Sequence, residues 1–409
     1  MISSPKNFLG ILSYKTYMIV YILTLGFFLY LMVRIISPFI LIRWKQLRSN
    51  TIGHYTVNTE LYLCERDLKI NDPKKKFIDF FYLIPGKETC NSQLTKMWKR
   101  QIKILPWQIL RGLDILNKII PGGAKHNIVT SSSYSYDVKN LLDITKIHLE
   151  FSEEEESIGV KFLKNLGLTK KDKFVCLIVR DSAYHNDLYY TGNSYNYHSY
   201  RDCKIDNFIK ACDFLTSKGF YVFRMGKSVN SKFEINNDMV IDYATNGMRS
   251  DFLDIYLGSK CSFWISTGTG IDGLSQIFRI PAVFVNQVPI AIARTTHTNS
   301  VLTFKHHLDN NKKKYLSVKE IINQNLEYAL KSEDYTKKNI STIENNQDEV
   351  CDAVKELYEI VFKNKDLINE SKNLQKKFWE IFPYNKKLHG NIKTLVSPSF
   401  LKNNPYLLE

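Results

Sequence analysis

Four short runs of this chain place charged or hydrogen-bonding residues directly after apolar stretches. Arg180-Asp181 follows 174–179 (FVCLIV), Arg224-Met225-Gly226 follows 221–223, Asp242-Tyr243 follows 239–241, and Ser266-Thr267-Gly268-Thr269-Gly270 follows 261–265. A small, hydroxyl-rich loop ahead of a helix offers backbone N–H groups and the positive end of a helix dipole, which suits a phosphate or diphosphate. Arginines at neighbouring strand ends add charge-assisted hydrogen bonds to the same oxygens. Near the start, Gly53 at a strand end would turn His54 into the space between two domains, with Asn58 and Glu60 close behind. Histidine is the side chain best matched to general-base work near neutral pH. The chain has neither G-x-G-x-x-G nor G-x-x-x-x-G-K-[ST], so nicotinamide-dependent redox chemistry and P-loop hydrolysis lose support. Nine histidines include His306-His307 but no H-E-x-x-H, and although Asp251-x-x-Asp254 could face one way on a helix, Asp251 reads better as part of the cap, so neither a metal nor another cofactor is expected.

These residues need strands that end where they begin. Runs 174–179, 221–223, 261–265 and 282–285 are apolar and alternate with helical patterns at 205–215, 251–256 and 271–278. That alternation predicts a doubly wound parallel sheet. Ser152 with the acidic run 153–156 opens a helix, and Ser317-x-x-Glu320 and Asn346-x-x-Glu349 are capping boxes. In the first half 77–84 (FIDFFYLI) is a buried strand. The stretch 181–200 carries six tyrosines, which would stack on a sugar or base or cover the crevice.

The 409 residues carry a net charge of +15, with 44% hydrophobic residues, which is a globular composition. Residues 1–50 have six basic residues and no acid, and 91–125 have seven basic residues against Asp114. Both segments are also apolar, which points to an anionic membrane surface and away from nucleic acid. Residues 16–33 form an uncharged 18-residue run followed by Arg34, Arg43, Lys45 and Arg48. That reads as a membrane helix with the remaining chain in the cytoplasm, while Arg34 and Pro38 also permit an interfacial helix. Seven scattered cysteines without a C-x-x-C pair suggest reduced thiols.

The series V-R-D-S-A-Y (179–184), Tyr200-Arg201, Arg224-Met225-Gly226, I-D-Y-A (241–244), S-T-G-T-G and F-R-I-P (278–281) resembles bacterial glycosyltransferases of surface-polysaccharide clusters. Ile52-Gly53-His54 with Asn58, Glu344-Asn345-Asn346 with Glu349, and Phe400-Leu401 extend the resemblance over nearly all the chain after residue 50. It implies an α/β GT-B-like fold of two Rossmann-like doubly wound domains, here with an N-terminal membrane helix. The expected division is an anchor at 1–49, an acceptor domain at 50–165, a nucleotide-sugar domain at 166–365 and a helical tail at 366–409 packing back on the acceptor domain. The resemblance further implies transfer from a nucleotide-diphosphate sugar to a glycan or polyprenyl-linked acceptor at the cytoplasmic membrane face, without a metal. Arg180, Arg201, Arg224, Gly226, Asp242, Tyr243 and Ser266, Thr267, Gly268, Thr269 and Gly270 would then face the donor, His54 would be the base, and Asn58 and Glu60 would lie on the acceptor side. Where the family has Arg-Asn this chain has Arg201-Asp202, and an acid there counts against simple phosphate binding. Two rivals are a hydrolysing nucleotide-sugar 2-epimerase on the same fold and a non-catalytic membrane scaffold.

Overall fold

The computed structural model describes residues 16–130, 135–183 and 195–409, and only the backbone at 22, 23 and 195–197. Most of the tyrosine-rich stretch therefore lies outside the described residues. The chain divides into two compact units, Met1–Ser133 and Tyr134–Glu409.

Among its described residues the first unit contains two full strands, β1 (Leu41–Gln46) and β2 (Phe77–Tyr82), paired in parallel. Single bridges Trp44–Asn127 and Phe81–Ile104 extend the layer on either side. This is less sheet than the doubly wound domain expected from the sequence. β1 also falls within the stretch assigned above to the anchor. Its Arg43 is buried and donates two 2.7 Å hydrogen bonds to Asp79, so this cation is spent on the fold and is not offered to a membrane. Before β1 the chain is helical over 16–36, with a π turn at Ile22–Gly26 followed by the helix Phe27–Ile36. No helix among the described residues is long and apolar enough to cross a membrane. The helices Ser92–Gln101 and Trp107–Ile119 are separated at Pro106, as the proline predicts.

The second unit is built on seven parallel strands. They are β3 (Lys173–Ile178), β4 (Phe220–Arg224), β5 (Val240–Ile241), β6 (Trp264–Ser266), β7 (Ala282–Gln287), β8 (Ser300–Phe304) and, after a small antiparallel sheet, β12 (Leu395–Val396). That antiparallel sheet is made of β9 (His306–Asp309), β10 (Lys314–Tyr315) and β11 (Ile340–Ile343). The large sheet runs β12-β8-β7-β6-β3-β4-β5. Strands buried on both faces carry unbroken apolar runs. Accordingly Val175, Leu177, Ile265 and Val283 pack with Val350, Val354 and Leu357 of the helix Gln347–Lys363. The helix Glu153–Asn165, placed above in the first domain, belongs to this unit and opens with the Ser152–Glu155 capping box. The tail after residue 366 is also built into this unit, because Leu395 and Val396 pair with β8 and Gln375 bonds both the N–H and the carbonyl of Val396. All seven cysteines are buried, and none forms a disulfide.

Burial brings His297 and His307 down to about 4, below the usual value near 6.5. With the folded value depressed, the unfolded chain takes up these protons first. Their stability is therefore complete above about 6.5 and is lost as pH falls toward about 4. Asp254, pushed up to about 6 by burial, acts in the opposite sense, holding a proton in the fold that the unfolded chain releases. Two histidines outweigh one carboxyl. Urea unfolding is expected to show stability falling by about 1.4 kcal/mol per pH unit below pH ~6. An equal or greater midpoint at pH ~5 would show that these histidines do not titrate with folding.

Candidate functional site

Open parallel sheets bind ligands beyond the carboxyl ends of their strands, where adjacent strands send their connections in opposite directions. In the second unit this point lies between β3 and β6, since β4 and β5 follow on one side and β7 and β8 on the other. Arg180 stands just past β3 and Ser266–Gly270 leaves β6 there. The Arg180 amide donates to Thr267 Oγ1 at 2.8 Å and joins the two strand ends.

The loop is less free than its composition suggests. The Thr267 amide donates to the Ile178 carbonyl, Gly268 N to Ser266 Oγ at 3.0 Å, and Thr269 N to Asp272 Oδ2 at 3.0 Å. Ser266 Oγ also donates to Asp272 Oδ2 at 2.6 Å, and Asp272 is wholly buried. The Asp272 carboxylate thus does for this turn what a bound phosphate does elsewhere. The helix that follows, Gly273–Ile277, has only five residues. The expectation that the loop presents its own N–H groups to a ligand is therefore corrected: Thr267, Gly268 and Thr269 spend theirs internally.

What the crevice offers instead is side-chain cations. The Arg201 guanidinium donates to the Gly268 carbonyl at 2.5 Å, and Gly268 is in the left-handed region at φ +82°. Arg180 Nε lies 3.6 Å from the Asp202 carboxylate. Burial, with Arg201 beside it, lowers the Arg180 guanidinium to about 10, so it stays charged at neutral pH. Lys305, directly after β8 and nearly inaccessible, donates Nζ–H to the Asp202 carbonyl at 2.6 Å. Arg294 donates to Asp272 Oδ1 at 2.5 Å and to the Thr269 carbonyl at 3.3 Å. Tyr136, its hydroxyl pushed up by burial, is close enough to Arg294 and Arg201 to feel both charges. Four cations thus gather around Asp202 and Asp272, with a third carboxylate, Asp181, accepting from the amides of Ala183 and Asn230 and lying close enough to Asp202 to act on its charge. Burial raises the Asp202 carboxyl against the pull of Arg180 and Lys305.

The segment bearing Arg201 is held from behind. Tyr200 stacks on Tyr335 at 5.1 Å, and Thr342 Oγ1 donates to its carbonyl. Glu344 accepts from Lys204 N and Asn207 Nδ2. Asn345, fully buried, exchanges backbone-to-side-chain hydrogen bonds with Asn286 on β7, and Asn346 with Glu349 caps the next helix. The E-N-N motif is therefore scaffolding for the crevice.

Arg224, Asp242 and Tyr243 form a separate group. Arg224 is 2% exposed and donates to Asp242 Oδ1 at 3.0 Å and to the Ser231 carbonyl. Asp242 Oδ2 accepts from Phe233 N and Thr245 Oγ1. The Tyr243 hydroxyl donates to Asp254 and accepts from Ser250 N at the start of the helix Asp251–Lys260. A Cβ on Gly226 would sit 2.6 Å from Val229. In this structure these residues hold a turn together, with Arg224 directed into the protein.

In the first unit Gly53 and His54 are in the opening turn of the helix Ile52–Asp67, which corrects the expectation of a strand end. His54 and Asn58, four residues apart, share one face of it, whereas Glu60 projects from another and is fully buried. Arg48 lies 3.2 Å from His54 Nε2. Since guanidinium only donates, Nε2 is the acceptor and the proton sits on Nδ1. Burial and Arg48 together lower the His54 pKa, which favours the neutral ring a base requires.

Lys305, Arg294, Asp272 and Tyr136 were not singled out in the sequence. Lys305 had a usable signal, as a cation directly after the run 300–304 (SVLTF), had that run been read as a strand. No protein-family model matches this chain, and no curated protein matches its sequence. Among solved structures it is similar to the E. coli ADP-heptose lps heptosyltransferase II, with 13% identity, 61% of this chain and 86% of that one covered, and a TM-score of 0.35. It is also similar to a glycosyl transferase family 9 protein from Veillonella parvula, with 10% identity, coverage of 78% and 96%, and a TM-score of 0.44. A third is the E. coli heptosyltransferase WaaC, at 9% identity, 60% and 89% coverage, and a TM-score of 0.27. Likeness this distant carries no functional argument.

Proposed function

We propose that this protein is a glycosyltransferase of GT-B type that moves a sugar from a nucleotide-diphosphate donor to a lipid-linked or surface glycan acceptor at the cytoplasmic face of a membrane. The observation that carries the reading is the cluster of Arg180, Arg201, Lys305 and Arg294 at the switch point of a parallel sheet. Such a cluster matches the charge of a diphosphate and would stabilise it as it leaves the sugar. Fixed cations can perform that neutralisation without a metal. His54, neutral and flanked by Asn58, is assigned as the base that takes the acceptor proton once Arg48 releases Nε2.

Thermal denaturation against ADP-, UDP-, GDP-, CMP- and dTDP-sugars tests this. One of them is expected to stabilise the protein by about 2.7 kcal/mol at a hundredfold excess over Kd. His54→Ala should keep that stabilisation while losing acceptor-dependent turnover by about 100-fold or more. Stabilisation by none would support a scaffold, and turnover of the donor without acceptor would support an epimerase.

A further inference from the structure

Over 16–36 the first unit has a helical surface that is apolar on two opposite sides for different reasons. On one side Met18, Tyr21, Gly26, Tyr30 and Val33 are buried. Successive buried positions are three or four apart, except for the five-residue step from Tyr21 to Gly26. The π turn Ile22–Gly26 takes up that extra residue and keeps the inward face in phase. This face is bound to the helix Trp107–Ile119. Tyr21 lies where any Cβ on Gly26 or Gly112 would be, 2.5 and 1.9 Å from its ring. Tyr21 OH donates to the Ile109 carbonyl, and Tyr30 OH to Asn117 Oδ1.

Among the described residues the opposite side has no such cover. Ile19, Phe28, Met32, Ile35 and Phe39 are 57–79% exposed. A continuous outward stripe of this kind is well beyond the scattered apolar residues of an ordinary surface. Where the stripe ends, three cations meet around Ser37. Lys75 Nζ donates to the Ser37 carbonyl, Lys125 Nζ to Ser37 Oγ at 2.9 Å, and Arg34 to Tyr30 Oη and the Pro121 carbonyl. Their partners in these bonds are neutral oxygens, and burial, reinforced by the charges of Arg34 and Lys75, lowers the Lys125 pKa. A cation cluster whose partners among the described residues are neutral, beside exposed Phe39, has the complement of an anionic lipid: acyl chains for the stripe and phosphates for the cations.

We infer that the first unit rides on one leaflet of an anionic bilayer, with the helical run 16–36 lying in the plane of the headgroup–acyl boundary and Arg34, Lys75 and Lys125 holding lipid phosphates. A crossing orientation would drag the partner helix inward with it, together with Arg111, Asp114 and Lys118, which are ion-paired on its surface. The inference deepens the membrane-face part of the function proposed above and is independent of the transfer reaction.

The test is flotation of the purified full-length protein with preformed phosphatidylcholine vesicles, with and without phosphatidylglycerol. Binding is expected only with phosphatidylglycerol and should weaken with salt. Lys75→Glu and Lys125→Glu should each lose about fivefold or more, and Phe28→Asp should abolish binding, all with unchanged melting temperature. A protease added outside should remove an N-terminal tag from the bound protein. Equal binding to neutral vesicles, or none, overturns the lipid assignment. A protected tag overturns the in-plane orientation. Concentration-dependent dimerisation lost in Phe28→Asp, without vesicle binding, would reassign the stripe to a second copy of this chain.

Discussion

Arg224→Ala is expected to lose about 3–5 kcal/mol of stability, the cost of leaving a carboxylate without its buried counter-charge. The loss arises because Asp242 would keep its place between Phe233 N and Thr245 Oγ1 while its cationic partner is gone. The Ser231 carbonyl would lose a donor as well, so the segment between β4 and β5 would loosen. Urea unfolding measures the effect directly. Substituting both partners, Arg224→Leu with Asp242→Asn, should recover part of the loss, because no lone charge then remains. An Arg224→Ala protein that melts like the parent but no longer binds nucleotide would show that Arg224 turns outward to the ligand after all.

The second large effect is expected at Arg201. Arg201→Ala should weaken nucleotide-diphosphate sugar binding by about 30-fold, equivalent to roughly 2 kcal/mol for a charge-assisted hydrogen bond. Its effect on folding should be small, since its hydrogen bond to the Gly268 carbonyl is made from a half-buried position. Arg201→Lys should rescue little, because a point charge cannot hold that carbonyl and a phosphate together as a planar fork does. Titration calorimetry with the nucleotide identified by thermal screening distinguishes the cases. If Arg201→Ala binds with unchanged Kd, the crevice is not the diphosphate site.

Much of the second unit was legible because a parallel sheet buried on both faces writes itself as unbroken apolar runs. The runs 174–179, 221–223 and 282–285 became β3, β4 and β7 with shifts of one or two residues. The same rule hid the strands from β8 to β11. Lys305, His306, His307 and Asp309 sit within or beside them, and their burial depends on partners far along the chain. His306, for example, is held between Tyr406 and Glu349. Charge was misread for a related reason. Arg43 looked like a membrane flank and Arg224 like a ligand cation. Their carboxylate partners, Asp79 and Asp242, are 36 and 18 residues away, and spacing alone does not reveal such pairs. The strand-end rule located Arg180 and the 266–270 loop. It could not show that Asp272, two positions beyond the loop, already takes the Ser266 hydroxyl and the Thr269 amide.

That internal closure has a consequence for how the crevice would work. A glycine-rich turn normally waits for its anion, stiffening when the guest arrives and relaxing when it leaves. Here Ser266 and Asp272 already tie the turn together from within, so it would keep one shape as a ligand comes and goes. Little entropy would be surrendered on arrival, and the outgoing diphosphate would find no collapsing backbone to hold it back.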